Sequence, residues 1–125
     1  MKKFSILVID NEQGIREMFK FMLEPEGYEV FTAEDGTRGL EMAKTSSYDL
    51  IFLDVDMPPG MGGQEVLRKI RQFRPEQLIV IFSSNPNPED TFEDEAGKKG
   101  AFSCIYKPFK INEVMDTINR AKRST

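Results

Sequence analysis

Five short apolar segments alternate with stretches of helical periodicity, and this alternation limits the fold of the chain more than any other feature. The helical stretches carry apolar residues at i, i+3, i+4 and i+7 spacing, as at Ile15, Met18 and Met22 in the first. Short strands that are apolar throughout are typical of a parallel sheet covered by helices on both faces. The sequence therefore predicts an α/β fold. The predicted strands are residues 6–9, 29–33, 49–53, 78–82 and 102–106.

Polar residues with a preference for helix N-termini mark where several helices should begin. Asn11, or Asp10 before it, is a good N-cap for the first helix, and Asp35 is one for the second. Asn87 followed by Pro88 predicts the start of a fourth helix. Further helices are predicted over residues 63–71 and from residue 111 onward. The predicted order is thus βαβαβαβαβα.

The composition excludes several kinds of chemistry. The chain has 125 residues, which we interpret as one domain, 1–125, and a net charge of −4. Without a basic tract, the sequence does not favour a nucleic-acid or membrane partner. The absence of histidine excludes histidine catalysis and histidine metal sites. The single cysteine, Cys104, excludes an internal disulfide, and no signal-peptide pattern is present, so we expect a cytoplasmic protein.

Polar residues follow four of the predicted strands. Because the carboxyl ends of parallel strands meet at one edge of a sheet, we expect these residues to lie close together. Acidic side chains packed together raise the pKa values of one another, and a hard divalent cation removes that conflict. Oxygen ligands of this kind suit Mg²⁺. The four groups are Asp10-Asn11-Glu12, Asp54-Val55-Asp56, Ser83-Ser84-Asn85 and Lys107-Pro108-Phe109.

This combination of groups suits phosphoryl transfer onto a carboxylate. A cation and an ammonium group neutralise the phosphoryl oxygens while the carboxylate attacks in line. The acidic pair Asp54 and Asp56 stands where an apolar strand ends. Burying an unpaired charge at such a position is costly, so we expect these acids to have a function. We therefore predict an aspartyl-phosphate site.

Four segments of the chain, in order, resemble the receiver domain of two-component response regulators. They are ILVIDNE, DLIFLDVDMPPGMGG, LIVIFSS and GAFSCIYKPF. The resemblance implies a flavodoxin-like (βα)5 three-layer sandwich with strand order 2-1-3-4-5. It also implies Mg²⁺-dependent phosphorylation by a histidine kinase or a histidine phosphotransfer protein. The signal would pass to a downstream protein through the surface formed by the fourth helix, the fifth strand and the last helix.

The resemblance also implies a role for individual residues. Asp54 would accept the phosphoryl group, and Asp10 would bind the metal together with it. Asp56 would give its backbone carbonyl to Mg²⁺. Ser83 would supply the hydroxyl that follows the phosphoryl group, and Lys107 the ammonium that binds it. The family's Lys-Pro peptide bond is usually cis.

The sequence departs from the family pattern at three positions. Asn11 stands where a second acid usually binds the metal, so we expect low metal affinity, partly compensated by the charge of Asp56. Pro59 adds a residue to the turn after Asp56. Cys104 replaces the usual switch aromatic, and Tyr106 is the residue that would supply an aromatic ring to the output surface beside Ser83.

The leading interpretation is a standalone receiver, without an output domain in this chain. Three other functions remain as alternatives. The departures at Asn11 and Cys104 allow a pseudo-receiver, which would use the fold only for docking. The Asp54-Val55-Asp56 motif also resembles that of haloacid-dehalogenase-like phosphatases, although those place it on their first strand. A flavin-binding protein is disfavoured because no phosphate-binding loop follows the first strand. We expect a phosphoacceptor rather than an enzyme, with slow self-dephosphorylation at most.

Overall fold

The computed structural model describes residues 2–57, 62–84 and 101–124, and these contain one five-stranded sheet. All strand pairs are parallel, and the strand order is β2-β1-β3-β4-β5. The flavodoxin-like α/β fold and its strand order are therefore confirmed. The strands are β1 (Ser5–Ile9), β2 (Glu29–Ala33), β3 (Leu50–Asp54), β4 (Ile79–Ser83) and β5 (Ser103–Tyr106).

The third and fourth strands each begin and end one residue later than the sequence predicts. Asp54 and Ser83 are therefore the last residues of β3 and β4, and their backbone positions are held by the sheet. The backbone pairing even continues beyond them, because the Val55 N–H donates to the Phe82 carbonyl at 3.1 Å. A polar side chain does not end a strand whose backbone groups still have partners in the neighbouring strand.

Four α-helices connect or follow the described strands. The first ends in a 3₁₀ turn, Glu24–Glu26, and Gly27 follows it with a φ of 93°, which glycine adopts without strain. Asp35 caps the second helix as predicted, accepting a hydrogen bond from the Arg38 N–H at 2.8 Å. The helices are α1 (Gln13–Leu23), α2 (Gly36–Thr45), α3 (Gly63–Phe73) and α4 (Ile111–Arg123).

The predicted capping of the first helix by Asn11 is wrong. Glu12 occupies the N-cap position of α1, and no side chain caps that end. Asp10 instead accepts a hydrogen bond from the Glu12 N–H at 2.8 Å, which fixes the turn leading into the helix. The helix predicted after Asn87 and the turn containing Pro59 lie outside the described residues.

The sheet has an apolar cluster on each face, as expected for helices on both sides. Along β1 the side chains alternate between the two clusters, because successive residues of a strand point to opposite faces. One cluster includes Ile6, Val8, Phe19, Phe52, Phe82 and Val114. The other includes Leu7, Ile9, Leu40, Leu53, Val66 and Ile81.

Gly63 brings the start of α3 close to the end of β3. A Cβ at this position would lie 2.6 Å from the Asp54 carbonyl oxygen and 2.5 Å from the Val55 Cα, too close for either atom. The absence of a side chain at Gly63 therefore allows α3 to begin in close contact with the backbone that carries Asp54.

Gly63→Ala is expected to lower the free energy of unfolding by about 1–3 kcal/mol, because backbone atoms must move apart to admit the methyl group. Urea denaturation of the purified protein measures this change. Gly14→Ala in α1 is the matched control: its Cβ meets no atom within 4 Å, so helix propensity should raise stability by up to about 1 kcal/mol. Wild-type stability in Gly63→Ala would contradict the close approach.

Candidate functional site

Four predicted site residues come together at the carboxyl edge of the sheet. Asp54 ends β3 and Ser83 ends β4, while Asp10 directly follows β1 and Lys107 directly follows β5. The Lys107 N–H donates to the Ser83 carbonyl at 2.7 Å, so the strand pairing carries on to the lysine. The predicted convergence of acids, a hydroxyl and a lysine is therefore present in the fold.

Asp54 is a buried carboxylate with two hydrogen-bond donors. Only 1% of its surface is exposed. Its Oδ1 accepts a hydrogen bond from the Asp56 N–H at 2.8 Å and lies 3.2 Å from the Lys107 Nζ. Burial raises the pKa of Asp54, while the Asp56 N–H and the Lys107 ammonium act in the opposite direction. These donors make the charged form, which is the nucleophilic form, less costly.

Lys107 reaches both buried aspartates. Its Nζ lies 3.2 Å from Asp54 Oδ1 and 3.9 Å from Asp10 Oδ2, and its side chain is 18% exposed. The ammonium also lies 5.4 Å from the centre of the Phe82 ring, within cation–π range. Phe109, two residues after Lys107, packs against the same ring at 5.7 Å. The Lys107–Pro108 peptide bond is cis, as the family resemblance implies.

Asp10 has one satisfied and one unsatisfied carboxylate oxygen. It is fully buried, and Oδ1 accepts the hydrogen bond from the Glu12 N–H. Within the described residues, Oδ2 is the buried side-chain oxygen that lacks a hydrogen-bond donor. Burial raises the pKa of Asp10 from its ordinary value of 3.8 to about 6, and the Asp54 charge adds to this rise. Asp10 thus has an oxygen available for a cation.

Arg16 contributes to the position of Asp10 and was not foreseen from the sequence. Its guanidinium, on the first turns of α1, donates to the Asp10 carbonyl oxygen at 2.8 Å. The spacing of six residues matches no helical pair pattern, because Asp10 lies outside the helix. No signal in the sequence singles out this contact.

Asp56 directs its carboxylate toward the end of β4. Oδ1 accepts a hydrogen bond from the Ser83 hydroxyl at 3.0 Å, and Oδ2 accepts one from the Ser84 N–H at 2.5 Å. Ser83 is fully buried, whereas Asp56 and Ser84 are exposed. The roles expected of Asp56 were a backbone carbonyl for Mg²⁺ and a charge that partly compensates for Asn11, so the contact of its side chain with Ser83 and Ser84 is a further feature of the site.

The donor atoms at this edge fit Mg²⁺ with few protein ligands. Asp10 and Asp54 supply two carboxylates, one of them with the unsatisfied Oδ2. Asn11 is exposed. No group of three Asp, Glu or Cys side chains suited to a metal occurs among residues 2–57, 62–84 and 101–124. Mg²⁺ is commonly held by one or two carboxylates, with water and phosphate oxygens completing the octahedron, and this arrangement matches that pattern.

The residues predicted for the output surface differ in exposure. Tyr106 ends β5 beside Ser83 and is 46% exposed. Cys104 is half-buried and packs against the cluster on the α2 and α3 side of the sheet. Alternation along the predicted strand 102–106 would place Phe102 on the same face as Cys104 and Tyr106, but Phe102, which precedes β5, packs against the cluster on the opposite face. Phe102 lies outside the regular strand, where the alternation of side chains does not hold.

No helix in the described part of the chain has the length and apolar character needed to cross a membrane.

Comparison with known proteins identifies the family. The family model "Response regulator receiver domain" matches residues 6–119. The response regulator ArlR of Staphylococcus saprophyticus is 38% identical over 119 residues, which are 94% of this chain and 52% of that protein. The chain spans about half the length of the curated relatives it matches.

Solved structures resemble the chain over nearly its whole length. The chemotaxis protein CheY4 of Vibrio cholerae has a TM-score of 0.85 and 31% identity, covering 96% of this chain and 99% of that one. The response regulator TrrA of Thermotoga maritima, solved in complex with Mg²⁺ and BeF, has a TM-score of 0.82 and 32% identity with the same coverage. The chain belongs to the family of response regulator receiver domains.

Proposed function

We propose that this chain is a phosphoryl-accepting signalling receiver and that Asp54 is the residue phosphorylated. The observation that carries the proposal is the contact of the buried Asp54 carboxylate with the Lys107 ammonium at 3.2 Å, at the edge where Asp10 and Ser83 also lie. Membership of the receiver family supports the same function. The phosphoryl donor is a histidine kinase or a histidine phosphotransfer protein.

The proposed transfer uses groups that lie at the same edge of the sheet as Asp54. A carboxylate oxygen of Asp54 forms a bond to phosphorus as the bond from phosphorus to the donor's ring nitrogen breaks, and the electron pair leaves on that nitrogen. Lys107 neutralises charge on the phosphoryl oxygens, and the Ser83 hydroxyl donates a hydrogen bond to one of them. Asp10, Asp54 and the Asp56 carbonyl would hold Mg²⁺, which would supply further charge neutralisation when bound.

We propose that the output surface includes β5 and α4, with Tyr106 as its exposed aromatic residue. The half-buried Cys104 is smaller than an aromatic side chain, so the coupling of the phosphoryl group to this surface depends mainly on Ser83 and Tyr106, which are neighbours in the β4–β5 register. The predicted helix after Asn87, the third part of this surface, is outside the described residues. The downstream protein and the cytoplasmic location stay predictions.

A phosphatase of the Asp-x-Asp type is less well supported. In that mechanism Asp56 would act as acid and base at the phosphoryl group. Its carboxylate oxygens instead accept hydrogen bonds from Ser83 and Ser84. A group engaged in this way would first have to leave both donors.

Incubation with Mg²⁺ and acetyl phosphate, followed by intact-mass analysis, is expected to give a single phosphoryl adduct on the wild-type protein. The adduct should disappear in Asp54→Ala and when Mg²⁺ is chelated. Asp116→Ala, which removes an exposed aspartate on α4, is the matched control and should be phosphorylated like the wild type. A folded wild-type protein without the adduct would contradict the proposal and favour a phosphorylation-independent docking module.

A further inference from the structure

One residue touches both the proposed phosphoacceptor and the hydroxyl proposed to bind its phosphoryl group. The Asp56 N–H donates to Asp54 Oδ1 at 2.8 Å. The Asp56 carboxylate accepts from the Ser83 hydroxyl at 3.0 Å and from the Ser84 N–H at 2.5 Å. These bonds join the end of β3 to the end of β4 in the unphosphorylated protein.

The Ser83 hydroxyl has only one proton to donate. While it is bonded to Asp56, that proton cannot be donated to an oxygen of a phosphoryl group on Asp54. Ser83 is fully buried, so its hydroxyl is removed from water and its arrangement depends on the acceptors that the site offers. A phosphoryl group on Asp54 would add an acceptor to the site.

We propose that Asp56 is a positioning residue that holds the Ser83 hydroxyl in its unphosphorylated arrangement and releases it when Asp54 is phosphorylated. The proposal rests on the proposed function, since it requires a phosphoryl group on Asp54. Two anionic acceptors, the Asp56 carboxylate and the phosphoryl group, compete for one proton. Hydrogen bonds to charged acceptors are strong enough to shift such an equilibrium by about tenfold or more.

The hydrogen bond between Asp56 and Ser83 has an effect that simple charge repulsion does not have. Removing the Asp56 charge should favour any anion on Asp54, whether or not Ser83 is present. Removing the hydrogen bond should favour the anion only when Ser83 is present. The two effects are therefore separated by a double-mutant cycle.

The cycle uses beryllofluoride with Mg²⁺ as a stable substitute for the phosphoryl group, with binding measured by calorimetry. Asp56→Ala is expected to tighten beryllofluoride binding about tenfold more in the wild-type background than in Ser83→Ala. Equal gains in the two backgrounds would overturn the proposal and leave charge repulsion as the whole effect. If the wild-type protein neither binds beryllofluoride nor accepts phosphate, the proposed function itself fails, and release by phosphorylation fails with it.

A second measurement tests the Asp56 contact without any phosphoryl group. Hydrogen exchange of the Ser84 amide, measured by NMR without Mg²⁺, is expected to be at least about fivefold faster in Asp56→Ala, because that amide loses its acceptor. Asp116→Ala is the control and should leave this rate unchanged. An unchanged Ser84 rate in Asp56→Ala would overturn the proposal even if Asp54 is phosphorylated normally.

Discussion

Asp10→Asn is expected to stabilise the metal-free protein by about 3 kcal/mol at pH 8, since the shift of the Asp10 pKa from 3.8 to about 6 corresponds to that energy. The folded protein binds the carboxyl proton of Asp10 more tightly than the unfolded chain does. The stability of the wild type therefore falls as the pH rises from about 4 through 6. Asparagine has no titratable proton, so the stability of the variant relative to the wild type should be greatest above pH 6 and unchanged near pH 4.

Urea denaturation of both proteins at several pH values, with EDTA or with Mg²⁺, measures this difference. Mg²⁺ should stabilise the wild type by binding only to the folded state, and it should have little effect on Asp10→Asn. Asp116→Asn, an exposed replacement of the same kind, should change stability by less than about 0.5 kcal/mol. A variant that is less stable than the wild type at pH 8 without Mg²⁺ would contradict the inferred cost of burying the Asp10 charge.

Lys107→Met is expected to destabilise the protein by about 3 kcal/mol at pH 8 without Mg²⁺, because removing one partner of a buried ion pair leaves the other charge uncompensated. The ammonium lies within 4 Å of both Asp54 and Asp10. Its loss should raise both pKa values further, so the destabilisation should be smaller at pH 5. Phosphorylation should slow by about a hundredfold, the effect typical of losing one charge-stabilising group.

Urea denaturation at the two pH values and the initial rate of adduct formation with acetyl phosphate check this prediction. Lys69→Met is the matched control. Lys69 forms an exposed ion pair with Glu65 at 3.5 Å, so its replacement should change stability by less than about 1 kcal/mol and leave the rate unaltered. Wild-type phosphorylation in Lys107→Met would remove Lys107 from the proposed mechanism.

Much of the fold could be predicted because the local signals agree with the tertiary structure. The five apolar segments became the five strands, and Asp35 caps α2 as its position predicts. The prediction failed where several polar residues follow one another. At Asp10-Asn11-Glu12 the sequence offers more than one N-cap, and in the structure Glu12 occupies the N-cap position of α1 without a side-chain hydrogen bond.

The candidate site was predictable as a set of residues but not as a set of contacts. Asp10, Asp54, Ser83 and Lys107 each follow or end a strand, so a parallel sheet must bring them to one edge. No sequence pattern predicts that Asn11 is exposed. No sequence pattern predicts the contact between Arg16 and the Asp10 carbonyl either. Both depend on how α1 is placed against the sheet.

The order of strands and helices along the chain follows from the amino-acid sequence, because β-branched apolar runs and helical periodicity are local properties. The polar groups at the strand ends follow from the sequence as well. The hydrogen bonds among those groups depend on the tertiary structure. Asp56 and Ser83 are 27 residues apart, and their contact exists because β3 and β4 are neighbours in the sheet and end at the same level. Burial likewise raises the pKa of Asp10, since the removal of water from a carboxylate is a property of the folded surroundings and not of the chain.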